Sequence, residues 1–266
     1  MNNSELIVSY PGFFVSEWRE DALWLKFSGN FFHNILSFDR SNFLHAYFEA
    51  LSTDADIKTV VIHSAFHESG SDEYLRFFLL ETPERDLGHL GLSNTMDRYD
   101  LHRFCNIIDQ TLLDIVAMDK MTIHICGGDV LSLFMNISLA CDYRIIAADT
   151  VFHNIFQEIG MLPKGGAPFF LSKMLGASRA QALLLLEQRI TSQAALDNRI
   201  ADQVVPPEDL ETSAAEIARR FNQLTRQTLS GVKRLTHVAL GELQAYLELE
   251  TREILKIAHR QQFADQ

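Results

Sequence analysis

Short apolar runs of strand period alternate with stretches of helical spacing along this chain. Strands joined by crossover helices pack most readily as one parallel sheet, so this alternation constrains the fold more than any single residue does. Leu23, Leu25 and Phe27 alternate with Trp24 and Lys26, and the turn Ser28-Gly29-Asn30 ends that strand. From Ser41 the spacing changes: Phe43, Leu44, Tyr47, Phe48 and Leu51 recur as on one helix face, with Ser41 and Asn42 as candidate caps. Thr59 to Ile62 reads as a buried strand. Leu101 to Val116 is helical, Met121 to Cys126 a strand closed by Gly127-Gly128, Leu131 to Ala140 an apolar helix and Tyr143 to Ile146 another strand. Ala180 to Leu186 predicts a further helix and Ile200 to Val205 a short strand before Pro206-Pro207. That proline pair is the one composition break resembling a boundary. It divides an expected core domain, residues 1–205, from a helical region, residues 206–266, in which Leu243, Leu247, Ile254 and Ile257 oppose Glu242, Glu248, Glu250 and Arg252.

Charge narrows the function classes. With 23 basic and 35 acidic side chains the net charge is −12, which repels nucleic-acid backbones and anionic lipid. The apolar run from Val130 to Cys141 is bounded by Asp129 and Asp142 and falls short of the roughly 20 residues that a bilayer needs. The N-terminal residues lack the pattern of a signal peptide, and the three cysteines Cys105, Cys126 and Cys141 form no C-x-x-C pair. A reducing cytoplasm is expected, with no membrane and no nucleic-acid partner.

Three strings carry a resemblance. They are Leu139-Ala140-Cys141-Asp142 followed by Ala147-Ala148; Gly160-Met161-Leu162-Pro163 with Gly165-Gly166; and Leu175-Gly176-Ala177-Ser178-Arg179-Ala180, leading to Arg189-Ile190-Thr191. In this order they resemble the crotonase (enoyl-CoA hydratase/isomerase) superfamily over about residues 20–260. The resemblance implies an α/β fold, a crotonase-like spiral of βαβ units with a C-terminal helical trimerisation region, assembled as a homotrimer or hexamer. It also implies an acyl thioester, of coenzyme A or an acyl carrier protein, whose carbonyl sits in an oxyanion hole of two backbone N–H groups. Coenzyme A enters only as part of the substrate, and no separate cofactor or metal is implied.

Carried over residue by residue, the resemblance gives the first oxyanion donor as the N–H of Glu68, in the loop His67-Glu68-Ser69-Gly70-Ser71-Asp72. The second is the N–H of Leu133, where the family carries glycines, with Phe134 beside it. The two glutamates that hydratases use as acid and base correspond to Asn136 and Phe156, with Glu158 the nearest carboxylate. Neither Asn nor Phe transfers a proton, so ordinary hydration is not expected. Lys164 falls where isomerases of the superfamily carry an aspartate; it could hold a substrate carboxylate or protonate an enolate, provided burial lowers its pKa. Against this stands an exposed lysine beside a glycine turn. His153 is a candidate proton carrier or a histidine bonded within its strand; Asn136 either binds a substrate oxygen or satisfies backbone. Phe134 and Phe156 are expected as pocket wall. His63 and His67, with Glu68 and Asp72, look superficially like a metal cluster, but lie on a strand-to-loop segment and not on one helix face.

Three classes follow: a divergent isomerase, lyase or decarboxylase acting through an enolate; a carbon–carbon bond hydrolase of β-diketone type; and a catalytically inactive binding or structural subunit that keeps the fold.

Overall fold

A computed structural model describes residues 6–28, 31–64, 98–156, 160–236 and 240–264. In chain order it begins with the strands β1 (Ser9–Tyr10), β2 (Phe14–Arg19) and β3 (Ala22–Phe27), the helices α1 (Phe31–Leu36) and α2 (Phe38–Thr53), then β4 (Thr59–Ser64). The long helix α3 (Arg98–Ala117) precedes β5 (Met121–Cys126), β6 (Asp129–Leu131), α4 (Ser132–Ser138), β7 (Tyr143–Ala147) and β8 (Val151–His153). After these come α5 (Ala167–Leu175), α6 (Ala177–Leu186), β9 (Arg189–Thr191), α7 (Ser192–Asp197) and β10 (Gln203–Val205). The helices α8 (Leu210–Asn222), α9 (Arg226–Thr236) and α10 (Leu240–Ala264) complete the described chain.

The main sheet has the order β1-β2-β3-β4-β5-β7-β10, antiparallel from β1 to β3 and parallel from β3 onward. A small second sheet, β6-β8-β9, stands apart from it. Register decides which side chains meet. Phe27, Ser64 and Cys126 stand level across β3, β4 and β5, and Ile62, His124 and Arg144 across β4, β5 and β7. Because strand side chains alternate, these groups share one face with Leu23, Leu25 and Val60, and α2, α3 and α4 cover it. The opposite face, with Trp24, Val61, Ile123, Ile125 and Ile145, packs on Leu210, Ala214, Ile217 and Ala218 of α8. The segment after Pro206-Pro207 thus opens with a helix that closes the second side of the sheet.

Asp142, which ends the Leu-Ala-Cys-Asp string, pins two distant parts of the chain together. Its Oδ2 accepts from the Thr122 N–H (2.7 Å), the Thr122 hydroxyl (2.9 Å) and the Lys233 ammonium (2.8 Å). Lys233 is itself buried and donates also to the Lys120 carbonyl at 2.7 Å. One carboxylate therefore fixes the start of β5 against α9.

The sequence pattern and the structure differ at several places. α2 begins at Phe38, ahead of the expected caps, and the Ser41 hydroxyl donates back to the Phe38 carbonyl (3.1 Å) instead of accepting from first-turn N–H groups. β1, β6, β8 and β9, of two or three residues each, have no period that marks them in the sequence, and β10, Gln203–Val205, is shorter than the expected run of residues 200–205. Among the described residues no helix is long and apolar enough to cross a membrane.

Candidate functional site

The C-terminal ends of β3, β4 and β5 converge under α2, α3 and α4 on a cavity of about 40 Å³. Its wall is mostly apolar: Phe27, Leu44, Phe48, Ile62, Phe134 and Ile137. The polar exceptions are Ser64, Thr111 and His124, with Cys141 at the edge. The Thr111 hydroxyl is committed to the Ile107 carbonyl, one turn back on α3, at 2.8 Å. Ser64 Oγ lies 2.9 Å from His124 Nε2. Burial, with His63 and Arg144 nearby, pushes the His124 imidazole down to about 3, so this ring is neutral at physiological pH. The three thiols are buried, and burial pushes each of them up to about 12.

Residues that the family resemblance singled out gather around the start of α4. Phe134 lines the cavity, and Leu133, 1% exposed, packs over the turn at Gly165. Gly165 has φ +97°, and a Cβ there would stand 3.0 Å from Asn136 Cβ, so the turn and the helix touch almost backbone to side chain. Asn136 is fully buried and its Nδ2 donates to the Lys164 carbonyl at 2.7 Å, while its Oδ1 has no partner among the described residues. Phe156 is buried as well, at 2% exposed.

The Lys164 side chain points away from this cavity into a charged cluster between helices. Its ammonium donates to Asp109 Oδ1 of α3, to Glu250 Oε2 of α10 at 2.9 Å and to the Thr251 hydroxyl at 3.1 Å. Thr251 in turn donates to Asp109 Oδ2 (2.8 Å), and the Glu250 carboxylate accepts from the N–H groups of Gly165 (3.3 Å) and Gly166 (3.0 Å). Burial alone would lower the Lys164 ammonium, but Glu250 and Asp109 outweigh it and hold it above the ordinary lysine value. The condition attached to a proton-transferring role, a lowered pKa, is thus not met. Burial pushes the Asp109 and Glu250 carboxyls up, against the pull of Lys164, and for Glu250 the neighbouring Asp109 adds to the rise.

The other candidates lie elsewhere. His153 Nε2 is 2.6 Å from Asp129 Oδ1, a pair that bridges β8 and β6 at the protein surface. His63 lies on the opposite face of β4 from the cavity, with Nδ1 3.4 Å from Glu211 Oε1. Glu68, the first expected oxyanion donor, lies outside the described residues, as do His67, Asp72 and Glu158. Sequence reasoning missed Ser64, His124, Asp109, Glu250 and Thr251. It put Glu250 on the polar side of the last helix, whereas the residue is 5% exposed. The spacing Leu243, Leu247, Glu250, Ile254 already contained the signal, since steps of four, three and four follow one helix face.

Comparison with known proteins places this geometry in a family context. The profile of the enoyl-CoA hydratase/isomerase family matches residues 95–264. The chain is 24% identical over 155 residues to the trans-2-decenoyl-acyl-carrier-protein isomerase of Streptococcus mutans, covering 58% of this chain and 59% of that one. It is 30% identical over 119 residues to a protein of Mycobacterium avium named a probable enoyl-CoA hydratase, covering 45% of this chain and 46% of that one. The matched region thus spans about half the length of these curated relatives. Among solved structures, an enoyl-CoA hydratase from Bacillus halodurans superposes with a TM-score of 0.75 at 20% identity, over 92% of this chain and 95% of its own. ThnE from S. clavuligerus gives 0.66 at 20% identity, over 91% and 98%.

The Lys164 cluster generates a prediction with a definite sign. Lys164→Met leaves two buried carboxylates without their cation and is expected to cost about 3–5 kcal/mol at pH 8. A carboxyl whose folded pKa is raised stabilises the fold while protonated; that contribution is present below the raised pKa and is lost as pH rises through it. Urea unfolding of the variant should therefore show a smaller loss at pH 5 than at pH 8. A loss that is equal at both values, or under about 1 kcal/mol, contradicts the assignment.

Proposed function

Since the chain belongs to the enoyl-CoA hydratase/isomerase family, we propose that it binds an acyl thioester, of coenzyme A or of an acyl carrier protein, without hydrating it. One observation carries this reading: the two places where hydratases keep their proton-carrying glutamates hold Asn136, committed to the Lys164 carbonyl, and Phe156, buried in the core. Hydration needs one group to activate water and another to deliver a proton to carbon. Around the cavity, among the described residues, the one imidazole is held neutral by burial and the nearest lysine is enclosed by carboxylates. Lys164 on this reading is a positioning residue. It holds α10 against the Gly165-Gly166 turn and, through its carbonyl, orients Asn136.

A second reading, movement of a double bond through an enolate, is favoured by the similarity to the isomerase of Streptococcus mutans. It needs a single proton carrier, for which His153 is the surface candidate, and an oxyanion hole built from the N–H groups of Glu68 and Leu133.

An assay decides whether hydration occurs. General acid–base groups each contribute about 10²–10⁴-fold, so with both missing the hydration of crotonyl-CoA is expected at least about 10⁴-fold below an ordinary hydratase, alongside saturable binding of butyryl-CoA in a calorimeter. Hydration within tenfold of an ordinary hydratase overturns the reading, as does the absence of binding to both acyl-CoA and acyl-carrier-protein thioesters.

Assembly belongs to the same proposal. Val232, Leu235, Leu240 and Leu249 are exposed on the last two helices, with Leu235 88% exposed, and contact between copies of the chain at this end would cover them. Light scattering is expected to give about three times the 30.3 kDa of one chain, or twice that again for a hexamer. A mass of one chain at micromolar concentration contradicts it.

A further inference from the structure

Outside the small cavity, α2 and α3 enclose a second hollow. It is a cleft of about 400 Å³, a size at which small molecules bind, roughly 300–1,000 Å³. Leu44 of α2 and Thr111 of α3 belong to its wall and to that of the inner cavity, so the two adjoin.

One imidazole of this cleft is held in a fixed setting. His45 Nδ1 lies 2.7 Å from Asp114 Oδ2, and the other oxygen of that carboxylate accepts from the Gln110 amide at 2.8 Å. The Asp114 side chain is 13% exposed and that of His45 49%. An ionised carboxylate only accepts, so the shared proton sits on Nδ1. Nε2 makes no hydrogen bond to a described residue and is left for a ligand. It is a lone-pair base in the neutral ring and an N–H donor once protonated. A base, a carboxylate that orients it and a further donor that holds the carboxylate form the arrangement that proton transfer requires. The other two candidate rings differ. His124 has Nε2 beside Ser64 and is pushed down to about 3, chiefly by burial, whereas the carboxylate that holds His153 is 69% exposed.

We propose that His45, oriented by Asp114, is the proton carrier of the double-bond migration given above as the second reading, in place of His153. The inference rests on that reading, and its substrate is an acyl thioester with a double bond between C3 and C4. Nε2 takes a proton from C2. The electron pair of the broken C–H bond forms a dienolate, with its negative charge on the thioester oxygen. The double bond then settles between C2 and C3 as the proton passes from Nε2 to C4. Substrate and product are isomers, so nothing is oxidised, reduced or consumed. A single nitrogen serves both transfers, since it alternates between base and acid while Asp114 retains Nδ1–H and faces the positive charge that the ring carries between them. Asp114 acts through His45 and is a positioning residue.

The test uses the full chain and two probes, trans-3-decenoyl-CoA and the N-acetylcysteamine thioester of the same acid. Isomerisation is read by the ultraviolet absorbance of the conjugated 2-enoyl thioester. Binding is read by calorimetry with decanoyl-CoA, which has no double bond to move. The parent is expected to isomerise at least one probe. His45→Ala should lose about 10²–10⁴-fold in kcat and regain part of it in added imidazole. Its affinity for decanoyl-CoA should stay within about threefold of the parent, and Asp114→Asn should lower kcat about tenfold with KM unchanged. If the parent isomerises and His45→Ala keeps its rate, or if His153→Gln removes the rate instead, the inference falls and the second reading stands. A loss in His45→Ala that imidazole does not restore, with decanoyl-CoA binding weakened to match, describes a contact and also overturns the inference. Decanoyl-CoA binding by a parent that isomerises neither probe removes the inference and the second reading and leaves thioester binding in place. Where His45→Ala is unstable, His45→Gln decides by the same kcat loss, because its amide keeps a hydrogen bond and cannot carry the proton.

Discussion

The ammonium of Lys164, enclosed by Asp109 and Glu250, is the interaction on which the candidate site depends. It joins α3, α10 and the glycine turn before α5 at one buried point, and Glu250 extends the tie to the N–H groups of Gly165 and Gly166. Each ion here would be costly to bury alone, so none of the three can leave without exposing the others. The same turn is pressed against Asn136 and Leu133 of α4, which places the start of that helix under the control of a cluster at the far side of the turn.

This has a chemical consequence. A lysine that serves as a proton carrier must give up its charge near neutral pH, and the two acids beside Lys164 work against that. Asn136 spends one of its two N–H donors on the Lys164 carbonyl, at zero exposure, which ties the amide to the glycine turn. The polar residues nearest the glutamate places of the family are thus used in holding elements together. The polar side chains at the cavity include Ser64 and His124, a hydroxyl and a neutral imidazole 2.9 Å apart among apolar walls.

Much of this fold was legible in the chain. The strand-helix alternation and the three local strings pointed to a parallel sheet of crotonase type, and β3, β4, β5 and β7 fall on the expected runs to within one or two residues. The site was less legible, for physical reasons. Ser64 and His124 are sixty residues apart, and only the β4–β5 register makes them neighbours, a long-range fact that no local period contains. Glu250 was read by its charge as solvent-facing, although its spacing from Leu247 and Ile254 lay on the buried face. Its partner Lys164 was singled out for a catalytic place, but a lysine's sequence does not say which carboxylates will enclose it. Asp142 was recognised as part of a string, and its work, holding Thr122 and Lys233 on one oxygen, became visible only with the tertiary contacts.

The charge state of one amine separates a structural tie from a reacting group, and its titration is the most direct test. In ¹⁵N-resolved NMR of the folded protein, with the Lys164 signal assigned through Lys164→Met, the ammonium is expected to stay protonated and slow to exchange from pH 6 to about 10, at or above the ordinary lysine range. A titration midpoint below about 8 would instead describe a lysine poised for proton transfer, and would return Lys164 from a structural tie to the reacting group of an enolate-forming enzyme.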